Sequence, residues 1–264
     1  MYLFKAKSHS AYLFKVLSEI LQSNLKTSCF QLKKSGIFLR QMDQNRRTLI
    51  DLELNAENFN SYKFNGTGSM FVGLTLTHLH KLLKSIKKKD SICLFIKKDE
   101  PNELAIQVIP KENNRVTTSY LKVQRVQNIL VDVPTGYATS VIVPSSEFQK
   151  ISKDVLTIGK MIRIKARAGK LEFGVDSGGI LKRTVEFGSI EDEDDDDDAD
   201  GGVEYDQVFQ NEQFLKITKI FNLSNYIHVY TTPGLPINIS SRVGDLGKIS
   251  VFVKNREQSL ADQR

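Results

Sequence analysis

Two periodicities organise the chain. Apolar Leu13, Val16, Leu17 and Ile20 fall at i, i+3, i+4 and i+7, the spacing of one buried face of an amphipathic helix. Leu79, Leu82, Leu83 and Ile86 repeat that spacing and predict a second helix. Between them, Thr48-Leu-Ile-Asp-Leu-Glu-Leu alternates with period two, as a half-buried strand does. Phe148, Ile151 and Val155 predict a third helix, and Phe214 with Ile217 a fourth. Pro110, Asn113-Asn114 and Pro134-Thr-Gly136 punctuate the middle of the chain.

The pattern repeats at an offset of about 135 residues. Ser10-Ala-Tyr-Leu-Phe-Lys-Val-Leu-Ser aligns with Ser145-Ser-Glu-Phe-Gln-Lys-Ile-Ser-Lys, setting Lys15 against Lys150. Leu79-His-Lys-Leu-Leu-Lys aligns with Phe214-Leu-Lys-Ile-Thr-Lys, setting Lys81 against Lys216 and Lys84 against Lys219. Ser91-Ile-Cys-Leu-Phe-Ile aligns with Tyr226-Ile-His-Val-Tyr-Thr, and Gly36-Ile-Phe-Leu has a looser echo in Gly169-Lys-Leu-Glu-Phe. The period is too long for a solenoid, whose repeats run ~20–50 residues. Two copies of one α+β unit are expected, each with helices packed on antiparallel sheets. The 264 residues suit two domains.

Charge sharpens this picture. Lys81, Lys84 and Lys88 recur at i, i+3 and i+7 on the predicted second helix, opposite its leucines. Lys150 and Lys153 oppose the apolar face of the third, Lys216 and Lys219 that of the fourth, and Lys15 that of the first. Glu19 and Glu212 are the acidic interruptions read on these faces. Lysine on one helix face commonly serves solubility alone. Four such faces side by side would form a surface that binds phosphates without reading sequence. The 37 basic side chains face 31 acidic ones, and nine of the acids sit in the run EDEDDDDDAD at 191–200, so the rest carries a balance of +15. That asymmetry suggests a polyanionic partner. The acidic run repels itself and reads as a solvated loop between strands, with mimicry of DNA the lesser alternative.

Other chemistry is not signalled. Cys29 and Cys93 sit in apolar runs and read as reduced, buried thiols of an intracellular protein. His78 and His80 are two apart on a helix and diverge, so no metal site is expected. Gly66-Thr-Gly68-Ser lacks a following lysine and is not a phosphate loop. No aromatic stripe interleaves the lysines, which disfavours a single-strand stacking platform. No nucleophile, base and acid can be nominated together. There is no membrane-length apolar run and no secretory leader pattern. Neither enzyme activity, cofactor nor membrane partner is expected.

Several ordered motifs carry a resemblance. They are Ser35-Gly36-Ile37 with Gln41-Met42-Asp43, Phe59-Asn-Ser-Tyr62, Val72-Gly-Leu-Thr-Leu with Lys81-Leu-Leu-Lys84, and Leu104-Ala-Ile-Gln-Val. The second copy adds Val143-Pro-Ser-Ser-Glu-Phe148, Asp154-Val-Leu-Thr-Ile-Gly159, Leu235-Pro-Ile and Asp245-Leu-Gly-Lys-Ile. In this order the chain resembles the proliferating cell nuclear antigen family of sliding clamps, over roughly residues 1–255, with a divergent or viral member in view.

The resemblance implies a DNA-clamp fold closing into a homotrimeric ring. It implies a clamp domain at 1–120, a connecting linker at 121–137, a second clamp domain at 138–255 and a polar tail at 256–264. Lys15, Lys81, Lys84, Lys88, Lys150, Lys153, Lys216 and Lys219 would face double-stranded DNA. Met42, Arg46, Leu49, Val131, Val133, Pro236 and Phe252 would form a groove for short peptide motifs of a DNA polymerase, a clamp loader and other clients. Arg46-Arg47 and Lys254-Asn255 depart from the family pattern and tilt the expected clients toward acidic peptides. The family's modification lysine falls near Arg167 or Ala168 here. Subunits would join through edge strands near 115–122 and 178–187. The implied location is the nucleus, or a cytoplasmic replication site for a viral member. Alternatives are a monomeric processivity factor, a subunit of a heterotrimeric damage clamp, or a basic nucleic-acid-binding protein that is not a clamp.

Overall fold

A computed structural model describes residues 1–112, 115–127, 129, 131–155, 157–167, 169–188 and 205–261, the side chains of Ser152 and Lys153 excepted. The acidic run at 191–200, Asn113-Asn114 and Ala168 therefore lie outside the described residues. The chain divides into two units, one of residues 1–44, 49–132 and 242–249, the other of 45–48, 133–241 and 250–264.

The first unit begins with β1 (Tyr2–Ser8), α1 (Ala11–Asn24), β2 (Thr27–Lys33), β3 (Gly36–Met42) and β4 (Thr48–Asn55). It continues with β5 (Ser61–Phe64), β6 (Met70–Thr75), α2 (Leu76–Leu83), β7 (Ser91–Lys97), β8 (Glu103–Ile109) and β9 (Thr117–Lys122). The second unit repeats the plan with β10 (Val141–Pro144), α3 (Ser145–Asp154), β11 (Met161–Arg167), β12 (Lys170–Asp176) and β13 (Lys182–Phe187). Then come β14 (Tyr205–Gln210), α4 (Asn211–Ile217), β15 (Tyr226–Tyr230), β16 (Ile237–Val243), β17 (Gly247–Val253) and α5 (Arg256–Ala261).

The repeat holds in the pairing as well as the order. In the first unit β2 pairs with β3 and β6, all antiparallel; in the second, β11 pairs with β12 and β14 in the same way. β1 pairs with β7 and β7 with β8, as β10 pairs with β15 and β15 with β16. In the order β5-β1-β7-β8-β9, strand β9 is an edge; in the order β13-β12-β11-β14, β13 is an edge. Both are the strands expected from sequence to lie at sheet edges.

Helices and strands share one core per unit. Phe14, Leu17, Leu79 and Leu83 from the helices meet Phe4, Leu54, Val72 and Ile92 from the strands around a small apolar cavity of about 70 Å³. In the second unit Phe148, Phe173, Phe209 and Phe214 are at most 1% exposed, and the rings of Phe209 and Phe214 meet edge to face at 5.5 Å. Each such side chain contributes roughly 1.5–3 kcal/mol through its removal from water. Leu13 and Leu82, expected inward, are half-buried at the margin of the helix faces. Both free cysteines are buried, and burial raises their thiol pKa values.

Three segments depart from the sequence reading. α2 stops at Leu83, with Lys84 as its C-terminal cap, so Lys88 lies in a turn rather than on the helix. Buried Asp90 ends the helical run there: its carboxylate accepts the Lys87 N–H at 2.9 Å. α4 likewise stops at Ile217, and Lys219 sits in the following 3-10 turn. The stretch read as a polar tail opens with helix α5, because Asn255 and Gln258 cap each other. The Asn255 carboxamide oxygen accepts from the Gln258 N–H at 2.7 Å, and the Gln258 side chain accepts from the Asn255 N–H at 3.0 Å.

Candidate nucleic-acid surface and partner groove

Helical periodicity singles out the lysines, and their surroundings divide them. Lys81, Lys84 and Lys88 are exposed, and among the described residues none of them forms an ion pair. Lys87 and Lys89, on either side of Lys88, are also exposed. Lys88 Nζ lies 5.9 Å from the Tyr12 ring centroid, and Lys15 Nζ lies 5.7 Å from the same ring. The Tyr12 ring thus lies within cation–π reach of two ammonium groups. Lys15 is half-buried, and its Nζ stands 3.5 Å from the Ile86 carbonyl, at the limit of a hydrogen bond. It is less available than a position wholly opposite the core would be.

In the second unit the positive charge is partly matched. Lys150 Nζ lies 2.7 Å from Glu147, three residues earlier, and Lys216 Nζ lies 2.6 Å from Glu212, four residues earlier. The hydrogen bond from Lys216 holds the Glu212 carboxyl below its ordinary pKa. Glu147 is a further acidic interruption of the lysine faces, and its i, i+3 spacing to Lys150 announces the pair. Lys219 is exposed, with no ion pair among the described residues. The Lys153 side chain lies outside the described residues.

The expected groove residues fall in both units and are described unit by unit. In the first, alternation along β3 and β4 builds an outer face of cross-strand pairs: Met42 opposite Leu49, Arg40 opposite Asp51, Phe38 opposite Glu53. Arg40 Nε donates to the Asp51 carboxylate at 2.9 Å, and Lys33 Nζ lies 5.1 Å from the Phe38 ring centroid. Val131 and Ile129 lie against this face and close a cleft of about 260 Å³ with Cys29, Gln31, Phe38 and Arg40. Of the groove residues expected from sequence in this unit, Val131 lines this cleft and Met42 and Leu49 do not; Phe38, Arg40 and Ile129 line it and were not singled out from sequence. The period-two step from Met42 back to Arg40 and Phe38 carries the signal. Met42 is half-buried, whereas Leu49 is 4% exposed and supports the face from within.

The connecting segment is fixed at its start. The Gln124 N–H donates to the Gly73 carbonyl at 2.8 Å, and a Cβ at Gly73 would sit 2.2 Å from the Gln124 oxygen. Only glycine lets the two backbones approach so closely.

In the second unit, Tyr137 organises the remaining residues. Its hydroxyl donates to the Pro236 carbonyl at 2.7 Å, and its ring meets Phe252 at 6.0 Å and Tyr230 at 6.1 Å. Burial raises the Tyr137 pKa, so the phenol stays protonated as a donor. Phe252 is buried beneath this ring, while Pro236 and Val133 are half-buried. Arg46 is exposed and takes the left-handed backbone, φ 56°. The Lys254 N–H donates to the Arg47 carbonyl at 2.9 Å, which sets these basic residues side by side. Among the described residues, no group of three or more His, Cys, Asp or Glu could hold a metal, and no helix is long and apolar enough to cross a membrane.

Comparison with known proteins agrees with the repeated architecture. Residues 3–131 match the N-terminal domain of proliferating cell nuclear antigen and residues 133–256 its C-terminal domain. Proliferating cell nuclear antigen of Dictyostelium discoideum is 26% identical over 95% of this chain and 98% of its own length. A protein of Paramecium bursaria Chlorella virus 1 named "Probable DNA polymerase sliding clamp 1" is 21% identical over 95% of this chain and 96% of its own. The crystal structure of the Entamoeba histolytica antigen has the same fold, with TM-score 0.82, 20% identity, and coverage of 97% of this chain and all of that one. Two family domains in tandem, on a fold that repeats strand for strand, make this chain a divergent member of the proliferating cell nuclear antigen family of sliding clamps.

Proposed function

We propose that the chain forms a homotrimeric ring around duplex DNA, holding a DNA polymerase and other replication or repair enzymes on their template, without catalysing a reaction itself. The observation that carries this is the set of exposed lysines on or just after the second helix of each repeat, Lys81, Lys84 and Lys88 in one and Lys219 in the other. Such side chains contact phosphates weakly and without sequence preference, which permits sliding. Retention then comes from ring closure.

Ring closure is supported by the two unpaired edges. β9 exposes Tyr120 at 53%, with Val116 just before it at 55%, and the approach to β13 exposes Ile180 at 93% and Leu181 at 50%. An exposed edge with apolar side chains invites pairing. Joining two different edges head to tail closes a ring when the rotation suits. Clients of short peptide motif would dock over the Phe38, Arg40 and Met42 face and beside Tyr137, and a clamp loader would open the ring. The site of action is the nucleus, or the replication site of a virus.

Light scattering of the purified protein tests the assembly. A mass three times that of the 29.9 kDa subunit is expected. A strict monomer at micromolar concentration contradicts it.

A further inference from the structure

Register brings two basic segments to one end of a sheet. Ser91, the first residue of β7, stands opposite Ile109, the last of β8, and Val108 stands opposite Thr117, the first of β9. The turn at 87–90 therefore emerges beside residues 110–112 and Arg115. Between them is a cavity of about 390 Å³, lined by Lys87, Lys88, Lys89, Lys111 and Arg115, all exposed. Two carboxylates also line it, Glu112 and the buried Asp90. Asp90 serves the backbone. Its carboxylate accepts the Lys87 N–H at 2.9 Å, its N–H donates to the Lys87 carbonyl at 3.2 Å, and its carbonyl accepts the Ala11 N–H at 3.2 Å. These bonds fix the turn from which three lysines spring.

Five cations around two carboxylates repel one another, and such crowding destabilises a compact chain unless a polyanion neutralises it. We propose that the cavity is a seat for the phosphate backbone of duplex DNA, placed off the helices, which grips the duplex harder than the helix lysines do and so slows sliding. The seat rests on the ring described above. Three observations support it.

The first is continuity. Lys81 and Lys84, exposed on α2 and at its end, lead on to Lys88, which lines the cavity. A phosphate backbone that follows these lysines arrives at the seat. The second is shape. On a convex helix face a phosphate meets one lysine at a time. In a concavity several ammonium groups and the Arg115 fork bind one phosphate, or two neighbours, together.

The third is asymmetry between the repeats. At the offset that sets Ser91 against Tyr226, Lys87, Lys88 and Lys89 align with Asn222, Leu223 and Ser224, which carry no charge. Lys150 and Lys216 are meanwhile matched by Glu147 and Glu212. Among the described residues, the seat thus belongs to the first unit alone, and the duplex leans toward that unit.

One test uses the wild-type chain loaded on nicked circular duplex, so no variant has to fold. Amine-reactive acylation, read by mass spectrometry, should slow about five-fold or more at Lys89 and Lys111 on loading, because bound phosphate shields their ammonium groups. It should hardly change at exposed Lys34 and Lys63. Equal labelling of Lys89 and Lys111 on and off DNA overturns the seat. A polyglutamate peptide that protects them where duplex of equal charge does not also overturns it, since the occupant is then an acidic protein segment.

The second test is kinetic. Lys87→Gln, Lys89→Gln, Lys111→Gln and Arg115→Gln are combined in one variant. A control combines Lys34→Gln, Lys63→Gln, Lys98→Gln and Lys170→Gln, all exposed and outside the cavity, and loses the same charge. Single-molecule tracking on stretched duplex should show the seat variant sliding about three-fold or more faster than the wild type, with a salt slope of association lower by up to ~0.9 per phosphate released. The control should slide as the wild type does. Equal acceleration of both variants assigns the effect to net charge and overturns the seat. A wild type that runs off linearised circles, with a seat variant that slides no faster, removes the seat and leaves the ring standing. A wild type retained equally on cut and uncut circles removes both.

Discussion

Lys150 Nζ lies 2.7 Å from the Glu147 carboxylate, one turn back along α3, so a lysine proposed to meet DNA carries its own counter-charge. Lys216 and Glu212 repeat the arrangement on α4. Both pairs are exposed enough to contribute little to stability, within ~0–1 kcal/mol. Their consequence is for binding. Glu147→Gln with Glu212→Gln should tighten duplex association at low salt and steepen its salt dependence, by up to about 0.9 per lysine released. Fluorescence anisotropy with a short duplex, titrated at several salt concentrations, reads both. Unchanged affinity would mean that Lys150 and Lys216 do not face the duplex.

Removing unpaired lysines should act in the opposite sense. Lys81→Ala, Lys84→Ala and Lys219→Ala together should lower association and flatten the salt slope by roughly 0.9 for each phosphate no longer neutralised. The trimer mass and the melting temperature should hardly move, since these side chains are exposed. Weakened DNA association with an unaltered salt slope would count against direct phosphate binding.

The Lys216 hydrogen bond that lowers the Glu212 pKa fixes a pH response. A carboxyl with a depressed folded-state pKa stabilises the fold above its unfolded value of ~4.3, and that contribution is lost as pH falls through the depressed value. NMR titration of Glu212 should therefore show a midpoint below the ordinary glutamate value. In Lys216→Ala the midpoint should return toward it. A midpoint indifferent to Lys216 would show that the pair does not persist in solution.

Gly73→Ala tests how the connecting segment is held. A Cβ there meets the Gln124 oxygen at 2.2 Å and Val126 Cγ2 at 2.7 Å, so the start of the segment must move. Limited proteolysis should cut after Gln124 faster than in the wild type, and a fluorescent client peptide should bind more weakly. Unchanged cleavage would mean that the close approach at Gly73 does not hold the segment.

Tyr137→Phe removes the donor to the Pro236 carbonyl while keeping the ring against Phe252. The loss should be about 1 kcal/mol in denaturant unfolding of the second unit, the net value of one such bond. Tyr137→Ala should cost ~3–5 kcal/mol, because the packing goes as well. Equal losses in the two variants would assign the whole effect to packing.

The repeat was legible in the sequence because side-chain spacing survives where identity does not. Lys84 with Lys219, and Ser91 with Tyr226, keep a constant offset, and the strand pairings follow it. Helix ends were less legible. The i, i+3, i+7 spacing carries on to Lys88, but the Asp90 carboxylate bonds to the Lys87 backbone and ends the helix early. Asn255 to Gln258 is a capping pair that polar composition concealed. Of the proposed groove, Met42, Leu49 and Val131 were nominated by resemblance. Phe38 and Arg40 needed the register of β3 against β4 to be set beside them. The i, i+3 and i, i+4 spacings of Glu147 to Lys150 and Glu212 to Lys216 were in the sequence, and the side-chain geometry shows that both pairs form.

The most direct measurement of a ring is topological. The protein is assembled in the presence of nicked circular plasmid, washed with salt high enough to strip ordinary electrostatic binding, and the plasmid is then cut once. A sliding ring stays on the intact circle through the wash and runs off the ends after the cut. Equal retention before and after linearisation would contradict encirclement.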